Sequence, residues 1–175
     1  MALLFTSLIP TGTGAPPPAA AAIETFFPDG QTRIFEQDTG LTAQVAGSNG
    51  RTFLSWDVPG EHTDVEVLAR VTTDAPPTHR IGIIARGSGS AGTETGWVLQ
   101  RARDDESFEM VIYDAGSFTI KQASAAAQYV NPDARWVWLR VRLQGTRAQG
   151  RIWADGVQAE PVDWQIDVTD STVAG

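Results

Sequence analysis

From Thr63 to Thr73, apolar and polar positions alternate with a period of two: Val65, Val67, Ala69 and Val71 fall on one side, and Asp64, Glu66 and Arg70 on the other. Successive side chains of a strand point to opposite faces, so this segment reads as a strand with one buried and one wet face. Arg135 to Leu143 repeats the pattern, with Val137, Leu139, Val141 and Leu143 inward and Trp136, Trp138, Arg140 and Arg142 on the opposite face. Here the outer face is partly aromatic. Further predicted strands are Arg33 to Gln37, Leu41 to Ala46, Thr52 to Trp56, Arg80 to Arg86, Trp97 to Arg103, Ser107 to Tyr113, Ser117 to Gln122, Gln149 to Ala154 and Val162 to Val168. No segment carries a helical period of useful length. Many short strands, with turn signals such as Asp-Ala-Gly from Asp114 and Ala-Asp-Gly from Ala154, predict an all-β antiparallel sandwich or barrel.

The first 22 residues read differently. Met1 to Pro10 lacks the basic start of a signal peptide, and Thr6, Ser7 and Pro10 interrupt its apolar run, so the segment is expected to be retained. Thr11 to Ala22, TGTGAPPPAAAA, has the composition of a linker that favours polyproline II. The division expected is an extended N-terminal arm, 1–22, ahead of one β domain, 23–175. The longer loops expected are Gly87 to Glu94 and Ala123 to Asp133.

Composition narrows the partners. A chain of 175 residues holds one domain, and its six tryptophans need a core. A net charge of −8 argues against a surface that tracks phosphates, so no nucleic-acid partner is expected. No stretch approaches the roughly 20 apolar residues of a membrane-spanning helix, and no membrane partner is expected. Cysteine is absent, so neither disulfides nor thiolate metal sites are available.

The stretch RWVWLRVRLQGTRAQGRIWADGVQAEPVDW, Arg135 to Trp164, resembles the penultimate hairpin of concanavalin A-like or laminin G-like jelly rolls. An aromatic-led strand, a Gly turn, a second strand and a W-x-D-G turn are followed there by an E-P-x-x-W return. GWVLQRARDDESFEMVIYDAG, from Gly96, is similar to the central hairpin of that family. The resemblance runs from about Phe26 onward and implies an antiparallel two-sheet jelly-roll sandwich. It departs from the family at the end: the sequence stops at TVAG where the family has a glycine-rich segment and a Phe-Asp strand, so the last strand is absent, supplied by a neighbouring subunit, or beyond this sequence. The same module serves as lectin, glycosidase accessory domain, adhesion domain and phage virion component, so fold alone does not assign the role. The opening MALLF before a jelly roll is similar to tailed-phage structural proteins. It implies a non-enzymatic virion protein, such as a decoration, fibre or tail component, that meets other virion proteins through its N-terminal arm and forms an oligomer. The alternative is a carbohydrate-binding module, secreted or extracellular, with glycans as the partner; a glycoside hydrolase is third.

Candidate chemistry is sparse. Jelly-roll glucanases carry E-x-D-x-x-E on one strand, which does not occur here. Asp64 and Glu66 share a strand face, but such a pair ordinarily belongs to a solvated surface. Asp104, Asp105 and Glu106 offer the hard oxygens that calcium takes, without the framing glycine of a dedicated loop, so a polar hairpin turn is the plainer reading and no cofactor is expected. His62 and His79 are not spaced as a metal pair, and no G-x-S-x-G elbow is present. Sugar rings stack on indole faces, which leaves Trp136, Trp138 and Trp153 as the candidate ligand platform, whereas Trp56 and Trp97 are expected in the core.

Overall fold

The computed structural model describes residues 64–72, 80–89, 93–102, 107–124 and 136–173 in full, and the backbone of five short strands before them. Those are β1 (Ala2–Phe5), β2 (Ile23–Phe26), β3 (Arg33–Gln37), β4 (Gly40–Gln44) and β5 (Phe53–Trp56). They pair into two small antiparallel sheets, β1-β4-β3 and β2-β5. Within the expected arm, β1 is therefore a paired strand; the rest of 1–22 lies outside the described residues.

Two larger antiparallel sheets follow. The first is ordered β10-β9-β8-β7, from β7 (Gly82–Ser88), β8 (Thr95–Arg101), β9 (Phe108–Asp114) and β10 (Ser117–Ala123). The second is ordered β13-β12-β11-β6, from β6 (Val65–Val71), β11 (Val137–Gln144), β12 (Arg147–Ala154) and β13 (Ile166–Thr169). β1 runs close to β6, an edge strand of this second sheet. Among the described residues there is no helix.

The alternation read from the sequence sets the inner faces. Val137, Leu139, Val141 and Leu143 are fully buried, joined by Ala69, Val71, Ile152 and Ile166 of their own sheet, and meet Trp97, Leu99, Phe108, Met110 and Ile112 of the other. This shared core makes the two sheets a β-sandwich. Gly150, at an inward position of β12, is what lets the sheets approach: a Cβ there would lie 3.3 Å from both methyls of Leu99 and 3.4 Å from the Met110 methyl.

Short loops connect the hairpins. Asp114 pairs with Ser117 across the two-residue loop Ala115-Gly116, in which both residues have positive φ, 47° and 81°. That is the requirement of a type I′ turn, whose twist matches the strands it joins. At the end of β7 the ladder slips between Ala85 and Ser88, and Arg86 sits in the left-handed region at φ 52°. Its side chain, 7% exposed, donates to the Gly145 carbonyl in the β11–β12 turn at 2.7 Å and lies 3.7 Å from Asp64. The bulge thus ties an edge of one sheet to a turn of the other.

On the opposite flank, the outer strands of the two sheets are seamed by side chains. Lys121 of β10 meets Asp170, just past β13, at 2.7 Å, and the Gln122 side chain accepts from the Asp167 backbone N–H at 3.1 Å.

Candidate functional site

The outer face of the second sheet is built from positions that alternate with the core. The register places Trp138 between Trp153 and Arg70, Arg140 between Arg151 and Leu68, and Arg142 between Gln149 and Glu66. Arg140 and Arg151 are thus directly opposed, which is unfavourable without a counter-ion. The chain supplies one. After β12 the segment 155–165 turns back over the face, and Glu160 accepts from Arg140 at 3.2 Å and from Arg151 at 2.8 Å. Arg151 also donates to the Val162 carbonyl at 2.5 Å.

Glu66 completes the network from β6, accepting from Arg142 at 2.6 Å and from Arg140. Burial by itself would raise the Glu66 carboxyl, but the hydrogen bonds and charges of Arg142 and Arg140 outweigh it and hold the group below its ordinary value. Both outer arginines then converge on one indole: the guanidinium carbons of Arg142 and Arg151 lie 4.8 Å and 4.2 Å from the Trp164 ring centroid.

At the end of this face the three expected tryptophans come together. The Trp138 and Trp153 rings stack at 6.1 Å and 15°. Trp138 donates from Nε1 to Asp155 Oδ1 at 2.8 Å, and Arg70 donates to Asp155 Oδ2 at 3.0 Å. Arg70 in turn lies over the Trp136 ring at 4.3 Å. The carboxylate therefore fixes one indole and one guanidinium in a row across the sheet. Trp136 and Trp138 are partly exposed, whereas Trp153 is 8% exposed and spends its ring on Trp138. At this end of the face the Trp138 ring is stacked on Trp153 and the Trp136 ring carries the Arg70 guanidinium, so each outer indole already has a neighbour on one of its faces.

The other candidate residues are elsewhere. Asp64 accepts from the Gly145 N–H at 2.9 Å, so it and Glu66, though on one strand face, serve different partners. Trp97 is buried in the core as expected. Asp104, Asp105 and Glu106, the two histidines, residues 90–92 of the first expected loop and 125–133 of the second lie outside the described residues; Gly87 and Ser88 of the first loop are the end of β7. Among the described residues no group of three or more His, Asp or Glu stands close enough to hold a metal ion. Arg70, Asp155 and Glu160 were not singled out as site residues; the clue was the W-A-D-G turn and the Glu-Pro-Val-Asp-Trp return, which place one carboxylate at the start of the strap and one in its middle.

No protein-family model matches the chain, and no curated protein or solved structure matches it.

Proposed function

We propose that this chain is a non-enzymatic structural protein of a virion, a phage decoration, fibre or tail component, whose sandwich is a concanavalin A-like jelly roll displayed for contact with glycans. The observation that carries the non-enzymatic reading is how the carboxylates of the second sheet are used. Glu66, Glu160, Asp155 and Asp167 each hold one or two arginines across strands. Glycoside hydrolysis needs two carboxylates free to face one cleft, whereas these four are each spent on guanidinium partners within the sheet. This face is organised to be rigid.

The virion reading rests on the resemblance of the sequence opening and of the Arg135–Trp164 hairpin. In its light, the segment 1–22 attaches the module to other virion proteins, and the assembled form is an oligomer. Deleting residues 1–22 should abolish incorporation into particles while the isolated sandwich stays folded; particles that still incorporate the truncated chain overturn the reading.

A second reading, a carbohydrate-binding module independent of a virion, is favoured by the Trp136, Trp138 and Asp155 arrangement. Its test is a broad glycan array with the intact chain and with Trp138→Ala and Trp136→Ala, each checked for folding. Binding that both variants lose supports it, and silence across the array removes it.

A further inference from the structure

The first sheet has an apolar outer face as well as an apolar inner one. Ile84, Val98, Val111 and Tyr113 lie on it, with Phe118 and Ile120 continuing it onto β10. Side chains standing on one face of a sheet are neighbours in a plane, and they shield each other's flanks but not their tops. Yet Val111 is 0% exposed and Val98 and Tyr113 are 5%, while Phe118 and Ile120 are 44% and 50%. A layer therefore lies over β8 and β9 and stops short of β10. The polar end of the same face is closed too: Gln100 donates to Glu109 at 2.8 Å, and Arg80 at 3.1 Å, with both Gln100 and Glu109 buried.

We propose that the β2–β5 ribbon of this same chain is that layer. An isolated two-stranded ribbon is at best marginally stable in water and needs an apolar surface to rest on. In this ribbon the register pairs Ile23 with Trp56 and Thr25 with Leu54, so its alternate positions supply three large apolar residues. Two strands about 4.8 Å apart cover the width of two strands, which matches a shield over β8 and β9 that leaves β10 open. The length of chain agrees: 63 residues precede Asp64, and they hold five of the seven phenylalanines. The competing segment, 125–135, has eleven residues and must carry the chain from β10 in one sheet to β11 in the other. On this assignment the molecule has three layers, and the outer apolar face is a second core of the domain, distinct from any surface offered to partners.

The test is made on the full chain, with the photo-crosslinking residue p-benzoylphenylalanine replacing Tyr113 and the adducts mapped by mass spectrometry. Adducts within one chain to 23–26 or 53–56 are expected. Adducts to 125–135 or to a second copy of the chain, or no adduct, overturn the assignment. Should that variant not fold, a thermodynamic cycle of Val98→Ala and Leu54→Ala decides: coupled residues lose less stability together than the sum of their separate losses, and strict additivity overturns the proposal.

Discussion

The Trp97 indole N–H donates to the backbone carbonyl of Val173 across 76 positions of sequence, at 3.2 Å, inside the sandwich. Trp97 belongs to β8, in the middle of the first sheet, and Val173 follows the last strand of the second. The bond therefore anchors the end of the chain to the opposite sheet, and the Val173 side chain, itself buried, joins the common core.

Trp97→Phe keeps most of the apolar volume and removes the indole donor, leaving the Val173 carbonyl with the longer contact from Arg86 at 3.5 Å. The net worth of one hydrogen bond is about 0.5–1.5 kcal/mol, so the midpoint of urea unfolding should fall by that equivalent. An unchanged midpoint would show that the bond contributes nothing to stability.

Glu160→Ala removes the shared counter-ion of two arginines that face each other across β11 and β12. A loss of roughly 1–3 kcal/mol is expected, larger at low ionic strength, because salt screens the repulsion left behind. The strap 155–165 should also lose protection against hydrogen exchange ahead of the strands. A loss confined to global stability, with no local change in exchange, would argue that the strap is held by other contacts.

Acid should weaken the fold through carboxylates that are paired when folded. The hydrogen bond from Lys121, with those from Thr172, lowers the Asp170 carboxyl from 3.8 to about 2; hydrogen bonds from Arg147 lower Asp167, and Glu66 is lowered as described. A group whose folded pKa is depressed contributes stability above its unfolded value and loses it as pH falls through the folded one. Stability should therefore be level above about pH 5 and decline progressively from about pH 4 towards pH 2. Lys121→Met should flatten the part of that decline that Asp170 contributes; an identical profile in the variant counts against the pairing.

Ala115 occupies a left-handed position that asparagine tolerates better, in a loop where Asn-Gly is the favoured pair. Ala115→Asn should raise stability by about 0.5–1 kcal/mol, read as a rise in Tm. A fall would mean that the exposed turn is not held in the type I′ form.

The sequence was most legible where one face is wet. In 137–143 strict alternation separates core from surface and the burial follows it; in 65–71 the burial alternates only from Ala69 onward, the first four residues all being half-buried. It was less legible in the first sheet. The run Met110-Val111-Ile112-Tyr113 is apolar throughout, the mark of a strand buried on both faces, but a run of that kind does not say which segment covers its outer side. β2, with four residues, is too short to declare itself by period, and β1 is followed by a proline-rich stretch that dominates a local reading. At the candidate site the shared face of Trp136, Trp138 and Trp153 was readable from alternation and the hairpin. The roles of Glu66 and Arg70 were not, because their partners stand 74 and 85 positions away and strand order is set by the global packing.

The seam between β10 and β13 has a practical consequence for anyone who labels this protein. Lys121 is the only lysine in the chain, so it is the one side-chain amine that acylating dyes, surface-coupling esters or amine-directed crosslinkers can modify. Acylation there discharges the partner of Asp170 and leaves the Gln122–Asp167 hydrogen bond to hold that flank. A preparation conjugated through side-chain amines is thereby a preparation with a weakened seam, and attachment through an introduced cysteine at an exposed turn leaves the native closure in place.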